Sequence, residues 1–359
     1  MDRGGVETWL MHVLRNMNGQ EQEFHFLVER QREAAYDSEI LALGAHIHRI
    51  GNHYNALRYG LRFMTVAEEY GPFDVIHSHV FLYSGFIMRL AARAGIPIRI
   101  AHSHTSKITR KWKLSRLLYE KVMRVWIRHY ATHRVATSKA AGRALFGSQG
   151  ENTFTLLHYG FDFSKFLCLK PTEQIRKRYD IPPGRRIIGL VGRLVPVKNH
   201  RFAIDCLEEV VKRGVDAHLL CVGEGPLLET LQVLIASRRL SDRCTFTGLQ
   251  ADVTPFLALM NVLLLPSHWE GLGIVALEAQ AAGVPVLASA AVPTEVDVVP
   301  GMVQRLSLGD GSSLWAEKLM HIMQQPRMQL GSEASTLESS RFGLKHCLER
   351  LNRIYCGLA

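Results

Sequence analysis

No long apolar run interrupts this chain of 359 residues, and that absence narrows what it can be. Nothing in it approaches the roughly 20 consecutive apolar residues that cross a bilayer. No charged leader with an apolar core opens it as a secretory signal would, so a cytoplasmic protein is expected. Cysteine is sparse: the six (Cys168, Cys206, Cys221, Cys244, Cys347, Cys356) form no C-x-x-C pair. Three of them fall in apolar-periodic segments, which reads as buried free thiols in a reducing compartment. Low-complexity segments and short-period repeats are also missing.

Acidic residues are scarce in one place. Between Ala101 and Gly150 eleven Lys or Arg face a single acid, Glu120. That local excess equals the net charge of the whole chain, +10, so the remainder is close to neutral. No recognition motif accompanies the basic stretch, and nucleic acid is not an expected partner.

What is present is a soluble globular composition, 47% hydrophobic and 21% charged, in a chain too long for one ordinary core. Short apolar strands alternate with helix-period segments along most of it, which predicts parallel α/β architecture. In the first half strands are read at 24–28, 40–43, 74–77, 98–101, 134–137 and 153–157. Helices are read from Val6 to Met17, Tyr59 to Tyr70, Leu82 to Ala94, through the basic stretch, and from Lys139 to Phe146. A helix follows the opening Gly4-Gly5 turn directly, where a doubly wound domain places a strand first, so that strand is expected to be missing. Periodicity weakens from Asp162 to Arg185, and the domain boundary is placed there. The expected domains are 1–165 and 184–338, with a final helix over 339–359. Strands of the second domain are read at 187–191, 217–222, 244–247, 262–265 and 285–288.

In open parallel sheets ligands bind beyond the carboxyl ends of the strands, and the chemistry-bearing residues fall there. The strand Leu263–Leu265 ends at Pro266, and a loop carrying Glu270, Gly271, Leu272 and Gly273 enters a helix that carries Glu278. Bare N–H groups and the dipole at that helix start suit a phosphate. The carboxylates can accept hydrogen bonds from sugar hydroxyls. After the 187–191 strand, Gly192 leads to Arg193 and Lys198, five residues apart. Two such cations neutralise a diphosphate and stabilise charge developing on it as it leaves. Taken alone, the loop is more simply a solvated basic turn, Glu270 a helix cap and Glu278 a solvated helix residue. The loops at Gly223 and at Gly248-Leu249 say less, although the latter can wall a base. His77 and His79, and again His102 and His104, lie two apart at strand ends, a spacing that puts each pair on one face. No carboxylate accompanies either pair at recognisable ligand spacing, so no metal is expected and two of the four are assigned to structure.

The order of GRLVPVKN at 192–199, VGEGP at 222–226, FTG at 246–248 and the Glu270/Glu278 pair resembles glycosyltransferase family 4. GGVE at 4–7, FDVIHSH at 73–79, HSHT at 102–105 and the terminal helix extend the likeness over nearly the whole chain, in the flavour of bacterial capsular and exopolysaccharide enzymes. The resemblance implies the GT-B fold of two Rossmann-like domains, with the terminal helix crossing back to the first. It implies retaining hexosyl transfer from a nucleotide sugar, UDP-linked by preference, to a glycan or lipid-linked glycan, with no cofactor. It assigns Arg193 and Lys198 to the donor diphosphate, Glu278 to ribose and Glu270 to the donor sugar. Backbone N–H groups of 271–273 lie beside the phosphates, and Gly192, Gly223, Gly248 and Leu249 line the donor site. His104, with His102 as a close rival, approaches the sugar, and Gly4 and Gly5 meet phosphate or acceptor. Two alternatives stay open: a sugar-nucleotide epimerase of the same fold, and a non-catalytic nucleotide-sugar-binding protein.

The basic stretch then has a use. Leu114, Leu117, Leu118, Val122, Val125, Trp126 and His129 fall on one helical stripe flanked by cations, so residues 107–134 are expected to meet an anionic membrane surface peripherally, on its inner face. The competing expectation is that the stripe packs on the sheet and the cations are only solvated.

Overall fold

The computed structural model describes residues 5–17, 22–51, 55–105, 114–147, 153–169 and 173–358. The chain divides into two compact units, residues 1–161 with 341–359, and residues 162–340. The boundary therefore falls at Phe161/Asp162, and residues 162–165, read from the sequence as part of the first domain, belong to the second unit.

The first unit runs α1 (Gly5–Met17), β1 (His25–Val28), α2 (Asp37–Ala42), β2 (His46–Arg49), α3 (Ala56–Tyr70), β3 (Val75–Ser78) and α4 (Ser84–Arg93). It continues with β4 (Ile98–Ser103), α5 (Leu114–Tyr130), β5 (His133–Ala136), α6 (Lys139–Phe146) and β6 (Thr155–Leu156). Strands β3 to β6 form one parallel sheet in sequence order, while β1 and β2 pair in a separate parallel sheet. Helices α3, α4 and α5 cover the larger sheet through Phe63, Met88, Met123 and Ile127. Met11 and Leu14 of α1 close a smaller core with Ile40 and Ala45.

The expected strand over 40–43 is instead the end of α2. Asp37 and Glu39 occupy the first turn of that helix, where acids suit its dipole. Ile40 packs into the small core with Met11 and Leu14, while Leu41 is 59% exposed; such alternation suits a strand as well as a helix, which is why the sequence misleads here. The true strand is β2, whose His-Ile-His-Arg sequence hides an inward apolar residue among polar ones.

The second unit runs α7 (Glu173–Arg178), β7 (Arg186–Val191), α8 (His200–Lys212), β8 (Ala217–Val222), α9 (Leu228–Ser237) and β9 (Cys244–Phe246). Then come α10 (Thr254–Leu257), β10 (Val262–Leu265), α11 (Ile274–Ala281), β11 (Val286–Ser289), β12 (Val303–Leu306), α12 (Gly311–Gln324) and α13 (Ala334–Glu338). The six strands are parallel in the order β12-β11-β10-β7-β8-β9. Counted from β7 this is 3-2-1-4-5-6 read from the β9 edge, the doubly wound order whose chain direction reverses between the first and fourth strands. Strands β8, β10 and β11 are buried throughout, as continuous apolar runs in a two-sided sheet should be. The sequence reading left β12, α12 and α13 unassigned.

The tail is shorter than the sequence periodicity implied: α14 spans Leu344–Tyr355. It is tied to the rest of the first unit by Phe161 N–H donating to Phe342 O at 2.8 Å, Leu344 N–H donating to Phe161 O at 3.0 Å, and Trp9 Nε1–H against Cys347 Sγ at 3.4 Å.

Candidate functional site

In the second unit the doubly wound order puts the loops after β7 and β10 beside each other at the reversal point. Lys198 comes from the first loop and Glu270 from the second, 72 residues apart, and Lys198 Nζ lies 2.7 Å from Glu270 Oε1. Ser267 Oγ–H donates to the same carboxylate oxygen at 2.7 Å, and Ser289 Oγ–H donates to Ser267 O at 2.6 Å. Glu270 is 8% exposed and Ser267 1%. A buried carboxylate is thus held by one cation and one hydroxyl, the latter anchored from β11. The sequence reading missed Ser267, and its one available signal was its place beside Pro266 at a strand end.

Three glycines let these loops crowd together. Gly192 N–H donates to Val222 O at 2.9 Å and Gly223 N–H to Gly248 O at 3.0 Å, linking the ends of β7, β8 and β9. A Cβ on Gly223 would stand 2.2 Å from Gly192 O, with φ at +138°. Only glycine allows that approach. The Lys198 side chain runs over Gly192, 3.3 Å from where a Cβ would lie. Gly273, at φ +84°, turns the chain into α11, while Gly271 is exposed and Leu272 half-buried beside it. Leu249 is 63% exposed. Arg193 is exposed, and among the described residues it makes no ion pair.

Glu278 projects from the second turn of α11, toward Lys165 Nζ at 3.8 Å, and Lys165 also lies 3.9 Å from Asp252 Oδ1. Burial raises the pKa of Glu278, with the nearby Lys165 working against that and Asp252 adding to it. Sequence reasoning missed Lys165, which sits in a one-turn 3-10 helix (Ser164–Phe166) at the end of the segment read as the first domain.

The first unit gathers its four strand-end histidines into two hydrogen-bonded pairs. His77 Nε2 meets His102 Nδ1 at 3.0 Å, and His79 Nδ1 meets His104 Nε2 at 2.8 Å. Tyr355 of α14 closes the first pair at His77 Nδ1 (3.0 Å) and Tyr159 the second at His104 Nδ1 (2.7 Å). Trp9 of α1 stands among all four rings, with centroids 5.5–6.3 Å away. Burial pushes every one of the four pKa values down, His79 to about 3, so the rings are neutral. His102 is fully buried on β4, whereas His104 beyond the strand retains exposure; of the two rivals only His104 offers a surface to a ligand. Gly5 opens α1 in free space, and Gly4 lies outside the described residues.

The apolar stripe read on the basic helix divides. Val122 and Trp126 pack against a core to which α5 contributes Met123 and Ile127, two residues that the stripe did not include. Leu117, Leu118 and Val125 are 43%, 65% and 50% exposed, and Tyr119 is 40% exposed. Glu120, the single acid of the stretch, is buried between Arg116 and Arg124. Residues 107–113 of the expected membrane segment lie outside the described residues, and among the described residues no helix is long and apolar enough to cross a membrane.

Ser267→Ala should test how much the buried carboxylate depends on its hydroxyl partner. A hydrogen bond to a charged group contributes roughly 1.5–3 kcal/mol, so the urea midpoint should fall accordingly. An unchanged midpoint would mean that Ser267 carries none of the load.

Two Rossmann-like units, each with its polar residues gathered at the carboxyl ends of parallel strands, define a GT-B fold. Residues 171–335 match the family described as glycosyl transferases group 1, and residues 4–160 match the glycosyl transferase 4-like domain. The chain belongs to this glycosyltransferase family. It is similar to the putative glycosyltransferase EpsF of Bacillus subtilis, 33% identical over 89% of this chain and 84% of that protein. It is also similar to the capsular polysaccharide biosynthesis glycosyltransferase CapH of Staphylococcus aureus, 25% identical over 78% of this chain and 76% of that one. In fold it resembles Anabaena HepE, solved in complex with UDP-glucose, with a TM-score of 0.77 and 18% identity over 99% of this chain and 97% of that one.

Proposed function

We propose that this chain is a retaining hexosyltransferase of polysaccharide biosynthesis that takes its sugar from a UDP-linked donor and passes it to a glycan or lipid-linked glycan. The observation that carries this reading is the pairing of Lys198 with Glu270 at the reversal point of a doubly wound sheet. Lys198 and the exposed Arg193 offset the charge of the diphosphate, and backbone N–H groups of Gly271, Leu272 and Gly273 lie beside it. Glu270 accepts from hydroxyls of the donor sugar and Glu278 from the ribose. Gly192, Gly223, Gly248 and Leu249 line the donor, while the family resemblance assigns His104 to the sugar and Gly4 and Gly5 to phosphate or acceptor. In the transfer the bond from the sugar's anomeric carbon to the diphosphate oxygen breaks, and the acceptor oxygen bonds that carbon on the same face. The acceptor's proton passes to the departing phosphate, so the step needs no metal and no cofactor. Positioning and electrostatic stabilisation are what the protein supplies.

The names of the relatives support this reading: CapH is named for capsular polysaccharide biosynthesis, and HepE was solved with UDP and with UDP-glucose. We also infer that the enzyme works at the inner face of a membrane. The support is a helix whose N-terminal half exposes Leu117, Leu118 and Tyr119 together with Arg116 and Lys121, a composition suited to anionic headgroups.

Incubation with UDP- and GDP-sugars, with and without glycan acceptors, tests the activity. Product only when acceptor is present, with the anomeric configuration kept, is the expected result. Conversion of the donor without acceptor would instead mark an epimerase, and binding without turnover a non-catalytic protein. For the membrane, sedimentation with anionic vesicles at low salt should carry the protein down, and Leu118→Asp should weaken it. Failure of the unaltered protein to sediment would sink that part.

A further inference from the structure

A second group of donors lies at the opposite end of the first unit's strands from the His77–His104 cluster. Glu23 and His25 alternate at the start of β1, and His46 and His48 alternate on β2. The two strands are parallel with His25 directly opposite His46. Period-2 geometry therefore puts all four side chains on one face. Their atoms converge: Glu23 Oε1 lies 2.9 Å from His46 Nε2 and 3.3 Å from His25 Nε2. The ligand atoms of Glu23, His25 and His46 all fall within 4.8 Å of one another.

We propose that Glu23, His25 and His46 form a binding site for a zinc-like divalent cation, with His48 as the residue that orients His25. Ligand bonds of about 2.0–2.2 Å in a tetrahedron place neighbouring donors about 3.3–3.6 Å apart. To admit the ion, the observed 2.9 and 3.3 Å need to open by at most about 0.7 Å, and the near-parallel rings of His25 and His46 need to tilt so that both lone pairs meet it.

The hydrogen bonding around His25 has the form that metal-bound histidines take. His25 Nδ1 lies 2.9 Å from His48 Nε2. If Nδ1 carries the proton and donates it to His48, the lone pair of Nε2 is turned toward Glu23 and His46. An outer hydrogen bond of this kind fixes the tautomer and ring orientation of a metal ligand. The His25 ring is further held by stacking on His46 and His48, with centroids 4.6 and 5.2 Å away, and by the edge of Phe73 at 5.0 Å.

The donor set selects the class of ion. Two imidazoles and one carboxylate suit zinc and its transition-metal neighbours, whereas magnesium and calcium prefer all-oxygen shells. The side chains of Glu23 and His46 are 67% and 46% exposed, which leaves an entry path and a fourth position for water. His77, His79 and His102 also bring donor atoms within 4.8 Å. Those rings, however, are engaged with His104 and Tyr355 and with one another, and among the described residues no carboxylate joins them. A cation at β1–β2 would tie the first two strands together and stabilise the unit by preferential binding. It would have no part in the transfer chemistry, so this inference stands whether or not the proposed activity does.

The full-length protein, stripped with a chelator, should be titrated with zinc by calorimetry and with cobalt(II) by its visible absorption. One ion per chain, with the cobalt spectrum of a tetrahedral site, is expected. His46→Ala and Glu23→Gln change exposed side chains and should weaken binding by about 100-fold or more. His48→Phe keeps the stacking but removes the orienting nitrogen, and should weaken it by about 10–100-fold. Absence of stoichiometric binding to the unaltered protein would overturn the proposal. So would undiminished binding in both His46→Ala and Glu23→Gln, which would put the ion elsewhere.

Discussion

Lys198→Ala is expected to lower the rate of sugar transfer by at least 10²–10³-fold, the scale set by removing one preorganised stabiliser of developing charge. The substitution has two consequences that need separating. It removes a cation from the proposed leaving diphosphate, and it leaves the 8%-exposed carboxylate of Glu270 with Ser267 as its remaining partner. Breaking a buried ion pair from one side costs about 3–5 kcal/mol, and the 22% exposure of Lys198 places this pair toward the lower end. The apolar core between the six-stranded sheet and α8 and α12 is not touched by the change, so the unit should still fold. Adding Glu270→Gln removes the unpaired charge and should recover most of the lost stability. It should recover none of the activity. If the double variant regains near-normal transfer, Lys198 serves only as the partner of a buried acid. A near-normal rate in Lys198→Ala itself would remove it from the site.

Acidification should destabilise the first unit from about pH 6.5 downward. Free histidine titrates near 6.5, and burial holds His77, His79, His102 and His104 below that value, His79 at about 3. The unfolded chain then binds more protons than the folded one throughout the interval between. Stability is present in full above pH 6.5 and is lost as pH falls through that interval toward the folded values. His79, at about 3, contributes a slope of up to about 1.4 kcal/mol per pH unit, or roughly 2 kcal/mol between pH 7 and 5. His77, His102 and His104 act in the same direction, against a total of roughly 5–15 kcal/mol that holds a typical domain. Urea midpoints at pH 7, 6 and 5 should therefore fall steeply. His200 and His218 of the second unit are also pushed down, to about 4, so the contribution of the cluster is isolated by substitution. His79→Gln keeps a polar group against His104 and should flatten the dependence by about one proton. A midpoint that moves by less than one histidine's worth across this range would show the four rings to be solvated and charged.

The sequence by itself determined the fold class and the order of most elements. Alternating apolar runs and amphipathic segments read the same way whatever surrounds them, and Ala217–Val222 and Val262–Leu265 are strands with the bounds the periodicity assigned. It also placed Glu270, Arg193 and Lys198 in strand-end loops and Glu278 on the helix that follows, because glycine and proline punctuate a chain locally. It failed where local signals conflict: Ile40–Leu43 joined a helix, and the polar-rich strand His46–Arg49 went unread.

Tertiary structure alone decided which of those residues meet. That Lys198 and Glu270 form a 2.7 Å contact across 72 residues follows from strand order, which side-chain periodicity does not encode. The same holds for Ser267 and Lys165, ordinary residues until packing puts a carboxylate beside each. His102 and His104 are two apart and look equivalent in sequence, yet only the strand's burial separates a fully enclosed ring from one with an open face. On the basic helix, likewise, which leucines are covered depended on how α5 is rotated against its core. Periodicity gives a stripe, but the facing surface decides where the stripe lies.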